Sequence, residues 1–91
     1  MVLFMSEVIV EFYGIPRQRA GRTELAVCAG TVGDALRAVM EACPGLHDVF
    51  KDEKLAPYYR LSRAGERFVT DLDECVAPGD RLLLLSADVG G

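Results

Sequence analysis

The chain has 91 residues, of which 51% are hydrophobic and 26% charged, with a formal net charge of −4 at pH 7. That length suits one small domain, and the apolar share is enough for one core without a metal or a disulfide framework. The acidic balance argues against a protein that binds nucleic acid by neutralising phosphates.

The opening Met1-Val2-Leu3-Phe4-Met5 is apolar but short, without the basic start of a signal peptide or the length of a membrane span. Cys28, Cys43 and Cys75 are widely spaced and form no Cys-x-x-Cys pair. Both features point to a cytoplasmic protein with reduced, buried thiols.

Along the chain, Val8, Val10 and Phe12 alternate with Ile9 and Glu11 in the stretch 7–13, which predicts a half-buried strand. Gly14-Ile15-Pro16 stops it, and 17–22 reads as a polar loop leading to a second strand over 23–29. Thr31 then stands three residues before Asp34 in a capping-box arrangement. Val32, Ala35, Leu36, Val39, Met40 and Cys43 follow at helical spacing, so Cys43 is expected in the core. Pro44-Gly45 ends that helix.

Residues 46–57 are less regular and read as a short turn or a helical fragment, with His47 an exposed loop residue. Two short strands are expected around the turn Arg63-Ala64-Gly65-Glu66, and Leu72 and Val76 should point inward from the next connection. Pro78-Gly79-Asp80 closes that connection, and 81–87 forms the last strand. The first and last strands are the most apolar, so they are expected as parallel central neighbours under the helix. The fold class is α+β: a β-grasp (ubiquitin-like) roll, one mixed sheet of four to five strands covered by one main helix. Residues 1–86 are expected to form the domain and 87–91 a flexible tail.

No catalytic constellation stands out. A single histidine leaves no His cluster for a metal and no specific Ser-His-Asp set. The stretch 14–21 lacks the lysine and Ser/Thr of a phosphate-binding loop. Asp71, Asp73 and Glu74 read as a solvated face, and Arg17, Arg19 and Arg22 as a basic turn that could meet an anion or a partner. The chain is therefore expected not to be an enzyme, to bind no cofactor or metal, and to have neither nucleic acid nor membrane as a partner.

What remains is the close, Ser86-Ala87-Asp88-Val89-Gly90-Gly91. A terminal carboxylate, with a pKa of about 3.5, is ionised and a poor electrophile. Adenylation with ATP makes it reactive, and attack by sulfide or a persulfide yields a thiocarboxylate. Two residues without Cβ can thread a narrow channel in extended form.

These stretches together resemble the ThiS/MoaD family of ubiquitin-like sulfur carriers, which includes the small subunit of molybdopterin synthase. The resemblance covers about residues 7–91. It rests on Thr31-Val32 opening the helix, Pro44-Gly45-Leu46 closing it, Gly79-Asp80 before the last strand, and Gly90-Gly91. It implies that Gly91 is adenylated and then carries sulfur, and that Ser86, Ala87, Asp88, Val89 and Gly90 enter the partners. Those partners would be an adenylyltransferase related to ubiquitin-activating enzymes, using ATP and a sulfur donor, and a sulfur-accepting enzyme such as the large synthase subunit.

The chain would then be a carrier, or the non-catalytic small subunit of a sulfurtransferase. Where the molybdopterin branch commonly has Pro-Pro-x-x-Gly-Gly, this chain has Ser86-Ala87-Asp88-Val89 before its glycines. Alternation along the last strand sends Leu82 and Leu84 inward and leaves Leu83 and Leu85 as an exposed strip for docking. The alternatives are a carrier for thiamine, cysteine or tRNA thiolation, a modifier joined to lysines through Gly91, and a plain interaction module.

Overall fold

The computed structural model describes residues 5–87. Its strands are β1 (Ser6–Phe12), β2 (Glu24–Ala29), β3 (Phe50–Lys51), β4 (Lys54–Leu55), β5 (Tyr59–Arg63), β6 (Arg67–Phe68) and β7 (Arg81–Ser86). Two helices, α1 (Ile15–Ala20) and α2 (Val32–Ala42), and a 3-10 turn over Pro44–Leu46 complete it. Five strands form one mixed sheet in the order β2-β1-β7-β5-β6, and β3 and β4 pair separately.

β1 and β7 are the parallel neighbours that the sequence predicts, with Val10 opposite Leu82 and Phe12 opposite Leu84. All four of these side chains are buried. They meet Val32, Leu36 and Val39 of α2 in a single core. A one-residue slip of β7 would exchange its buried leucines for Leu83 and Leu85, so this pairing holds the register.

α2 starts as expected. Thr31 has extended backbone, and its hydroxyl accepts a 3.1 Å hydrogen bond from the Asp34 amide. The return bond differs from a standard capping box, because the Asp34 carboxylate accepts from the amide of Gly30 at 3.4 Å. Val32, Ala35, Leu36, Val39 and Cys43 are buried along the predicted stripe, while Met40 is only partly covered.

Three expectations need correction. First, 17–22 is not simply a polar loop, because α1 occupies most of it. Pro16 in the first turn supplies the right φ at no hydrogen-bond cost. Gly21, at φ 73°, closes the helix by donating its amide to the Arg17 carbonyl at 3.0 Å. The Pro-then-Gly spacing was a readable signal.

Second, 46–57 is neither an isolated turn nor a helical fragment. It holds the end of the 3-10 turn and then the β3–β4 hairpin, whose turn residues Asp52 and Glu53 both have positive φ. Such a turn usually carries Asn-Gly or Asp-Gly, so Glu53 concealed it. Third, only Cys43 is a buried thiol. Cys28 sits at an outward position of edge strand β2, and Cys75, bridged to Thr31, is also exposed.

The connection over 69–80 is held from two sides. Val69 and Val76 are buried, and Leu72 packs against the core. The Arg63 guanidinium donates to Glu74 at 2.5 Å, to the Cys75 carbonyl at 3.0 Å and to Asp80, while Arg67 donates to Glu74. Hydrogen bonds from Arg67 and Arg63 hold the Glu74 carboxyl below its ordinary pKa. The planar fork explains why an arginine fits here: a lysine could not reach the two carboxylates in one plane.

Candidate functional site

Two surfaces flank the place where β7 ends. Leu82 and Leu84 face α2, so alternation sends Leu83 and Leu85 to the opposite face of the sheet. Leu83 lies across from Glu11 of β1 and Ser62 of β5, and Leu85 lies across from Arg60. The orientation matches the sequence reading, but the exposure does not: both leucines are half-buried. Their long neighbours on β1 and β5 account for this, since cross-strand partners stand about 5 Å away.

The largest exposed apolar group on this face is Phe68, paired with Ser62 and 55% exposed. The Arg60 guanidinium lies 5.3 Å from its ring centroid. At the other end of the same face, Glu11 accepts from the Tyr13 hydroxyl at 2.5 Å and from Arg81 at 2.6 Å. Those bonds, the one from Tyr13 first, keep its carboxyl below the ordinary range. The face thus presents an apolar centre between two arginines, one over an aromatic ring and the other paired with carboxylates. Phe68 was missed in the sequence because its strand is only two residues long and shows no alternation.

The second surface is a cleft of about 250 Å³ lined by Ile15, Arg19, Tyr58, Tyr59 and Ser86. Ile15 is 46% and Tyr58 44% exposed, so two large apolar side chains meet solvent beside the last residue of β7. Arg19 donates to Asp48 at 2.8 Å and to the Tyr59 hydroxyl at 3.0 Å, and Tyr59 donates to Asp48 at 2.9 Å. Burial pushes the Asp48 carboxyl up, but the bonds from Tyr59 and Arg19 outweigh it, and its pKa lies below the ordinary value. Arg19 is therefore separated from the basic turn suggested by Arg17 and Arg22: it ties α1 to Asp48 and β5.

Beyond Ser86, the Ala87 amide donates to the Tyr58 carbonyl at 2.9 Å, continuing the strand pairing by one residue. Asp88, Val89, Gly90 and Gly91 lie outside the described residues. The last described residues of the chain, Ser86 and Ala87, thus lie between the two surfaces.

The remaining candidates have structural partners. Cys43 is buried, and burial raises its thiol pKa, away from the reactive thiolate. His47 is exposed, with Nδ1 3.2 Å from the Pro44 carbonyl oxygen. Asp71 accepts from the Asp73 amide at 2.9 Å in a local turn, and Glu74 belongs to the Arg63 cluster. Among the described residues no group of three His, Cys, Asp or Glu side chains could hold a metal ion, and no helix is long and apolar enough to cross a membrane.

No protein-family model and no curated protein matches the chain. Solved structures do. The chain is 32% identical to small archaeal modifier protein 1 from Haloferax volcanii, covering 94% of this chain and 100% of that one at a TM-score of 0.81. It is 21% identical to small archaeal modifier protein 1 from Methanosarcina acetivorans, covering 97% and 99% at a TM-score of 0.80. It is also 21% identical to a Pyrococcus furiosus protein provisionally assigned as molybdopterin converting factor, subunit 1, covering 89% and 97% at a TM-score of 0.72.

Proposed function

The chain belongs to the ThiS/MoaD family of ubiquitin-like proteins, a sulfur carrier or modifier by kind, and on that premise we propose that Gly91 is its working residue. An activating enzyme related to ubiquitin-activating proteins adenylates the Gly91 carboxylate with ATP. A sulfur donor then converts the adenylate to a thiocarboxylate, which gives its sulfur to an accepting enzyme in cofactor biosynthesis, molybdopterin synthesis foremost. The observation that carries this reading is the full-length match to a modifier at 32% identity, in a fold whose central strand leads into Gly90-Gly91.

This chain's own part is positioning. β7 holds the root of the tail through Ala87, and the four residues beyond it can span about 14 Å when extended. The half-buried leucines and Phe68 supply an apolar surface beside that root, where a partner can dock while its pocket takes the glycines. Chemistry at the carboxyl group is left to the partner.

A second reading keeps the adenylate and changes what attacks it. If a lysine amine attacks, the product is an isopeptide and the chain is a protein modifier, the role named for the Haloferax relative. Intact mass after incubation with the activating enzyme, ATP and sulfide distinguishes the two. Replacement of one oxygen by sulfur is expected for the carrier, lysine-linked conjugates for the modifier, and an unchanged mass with no conjugate refutes both.

The docking face has its own test. Leu83→Asp is expected to leave the fold intact, since its side chain points away from the core, while weakening binding to the activating enzyme about tenfold or more. Calorimetric titration and a thermal melt check both halves. An unfolded variant, or unchanged affinity, would remove Leu83 from the docking surface.

A further inference from the structure

Arg19, Arg37, Arg63, Arg67 and Arg81 form ion pairs among the described residues, whereas Arg17, Arg22, Arg60, Lys51 and Lys54 do not. Unpaired cations stand out in a chain whose formal net charge is −4. Two of them, Lys54 and Arg60, line one open cleft of about 330 Å³. Leu55 and Pro57 form apolar walls there, Thr70 adds a hydroxyl, and no carboxylate side chain lines the cleft. Lys51 stands directly opposite Lys54 across the β3–β4 hairpin. Directly opposed side chains share a face and like charges there repel, so the hairpin carries an unfavourable pair. No ion pair among the described residues relieves it, not even with Asp52 or Glu53 of its own turn.

The walls decide which anion fits. Phosphate sites are commonly built from free backbone amides. Here the amides of Ala56 and Tyr59 already donate to the carbonyls of Val49 and Ala56, and Pro57 has no amide hydrogen. The donors that remain are the long side chains of Lys54 and Arg60, set beside Leu55 and Pro57. That combination suits a carboxylate carried next to an apolar side chain, as in a peptide. Arg60 also joins the cleft to the outward face of the sheet. It lies across from Leu85, and its guanidinium is 5.3 Å from the Phe68 ring centroid.

We propose that the cleft between Lys54 and Arg60 is a docking site for an acidic, apolar-flanked peptide segment of a partner protein. One carboxylate of that segment sits between the two cations, and a neighbouring apolar side chain rests on Leu55 and Pro57. The carboxylate also offsets the repulsion between Lys51 and Lys54. For its place in a larger interface the site rests on the reading of Leu83, Leu85 and Phe68 as a docking face, and it is independent of the chemistry at Gly91. A partner seated on Leu85 and Phe68 reaches the cleft across Arg60 without leaving the surface.

The test titrates the isotope-labelled full chain at low ionic strength, followed by amide NMR. The probes are a short acetylated peptide of alternating glutamate and leucine, its glutamine analogue, and inorganic phosphate. The glutamate peptide is expected to shift the amides around Lys54, Leu55, Arg60 and Thr70, and the glutamine analogue to bind about tenfold more weakly. Lys54→Gln combined with Arg60→Gln should weaken the glutamate peptide about tenfold at an unchanged melting temperature, while Arg22→Gln stays within about twofold. The comparison of the two peptides is made on the unaltered chain and so needs no variant to fold. Shifts elsewhere, equal binding of the two peptides, undiminished binding to the double variant, or no binding overturns the site. Phosphate that binds the same residues as tightly as the glutamate peptide overturns the peptide assignment. No activating enzyme is present, so failure here leaves the Gly91 reading standing, and failure of adenylation leaves this site standing.

Discussion

Deleting Gly91 is expected to abolish adenylation and every product downstream of it, while leaving the melting temperature of the domain unchanged. The two halves of that expectation have separate causes. Every buried apolar residue of the described core lies at or before Leu84, so the deletion removes nothing that packs there. The carboxylate, by contrast, retreats by about 3.5 Å. A misplacement of only about 1 Å at a reacting group can cost roughly a hundredfold in rate, so one lost residue is enough to silence the reaction. Pyrophosphate release with the activating enzyme measures the first half, and calorimetry the second. Continued adenylation of the shortened chain would show that Gly91 is not the reacting residue.

The largest stability effect is expected at Gly45. A Cβ placed there would lie 2.1 Å from the Arg19 carbonyl oxygen and 3.0 Å from its carbonyl carbon, closer than packed atoms can approach. Neither side can yield easily. Pro16 of α1 and Leu46 beside Gly45 are buried, and Arg19 is tied to Asp48 and Tyr59. Gly45→Ala should therefore cost about 2–4 kcal/mol, a large part of the 5–15 kcal/mol typical of a domain. The melting temperature would fall by roughly 10–25 °C. Gly79→Ala is the informative comparison. Gly79 has φ 83° but open space around a Cβ, so only a backbone penalty of about 1 kcal/mol applies. Equal losses in the two variants would show that crowding against Arg19 is not what Gly45 avoids.

Gly45 also shows how far the sequence can be read. Next to Pro44 it looks like a helix terminator, and α2 does end before it. Nothing local reveals that another segment, α1, passes within van der Waals range. The legible parts were those encoded by period: the alternation of β1, the inward Leu82 and Leu84, the stripe of α2 and its Thr31 cap. Their physics is local, and the parallel pairing of the first and last strands followed from their being the most apolar.

The β3–β4 hairpin was hidden because Asp52 and Glu53 adopt positive φ without glycine, under the demands of the surrounding fold. The ties from Arg63 to Glu74 and Asp80 span 11 and 17 residues, and no short-range pattern announces them. Of the candidate site, the direction of Leu83 and Leu85 was readable from alternation. Their partial cover, the exposed Phe68 and the cleft beside Ser86 were not, because each depends on neighbours brought in by folding.

The parallel pairing of β1 with β7 has a consequence for how the protein is made. The sheet's central strand is the last of the described strands to be translated, and both β1 and β5 need it as a neighbour. A nascent chain therefore cannot complete its sheet on the ribosome until Ser86 has emerged. Contacts between opposite ends of a chain also form slowly. Chains cut short before β7 would expose two unpaired strand edges and invite proteolysis. A finished sheet thus requires that synthesis has passed Ser86, the end of β7.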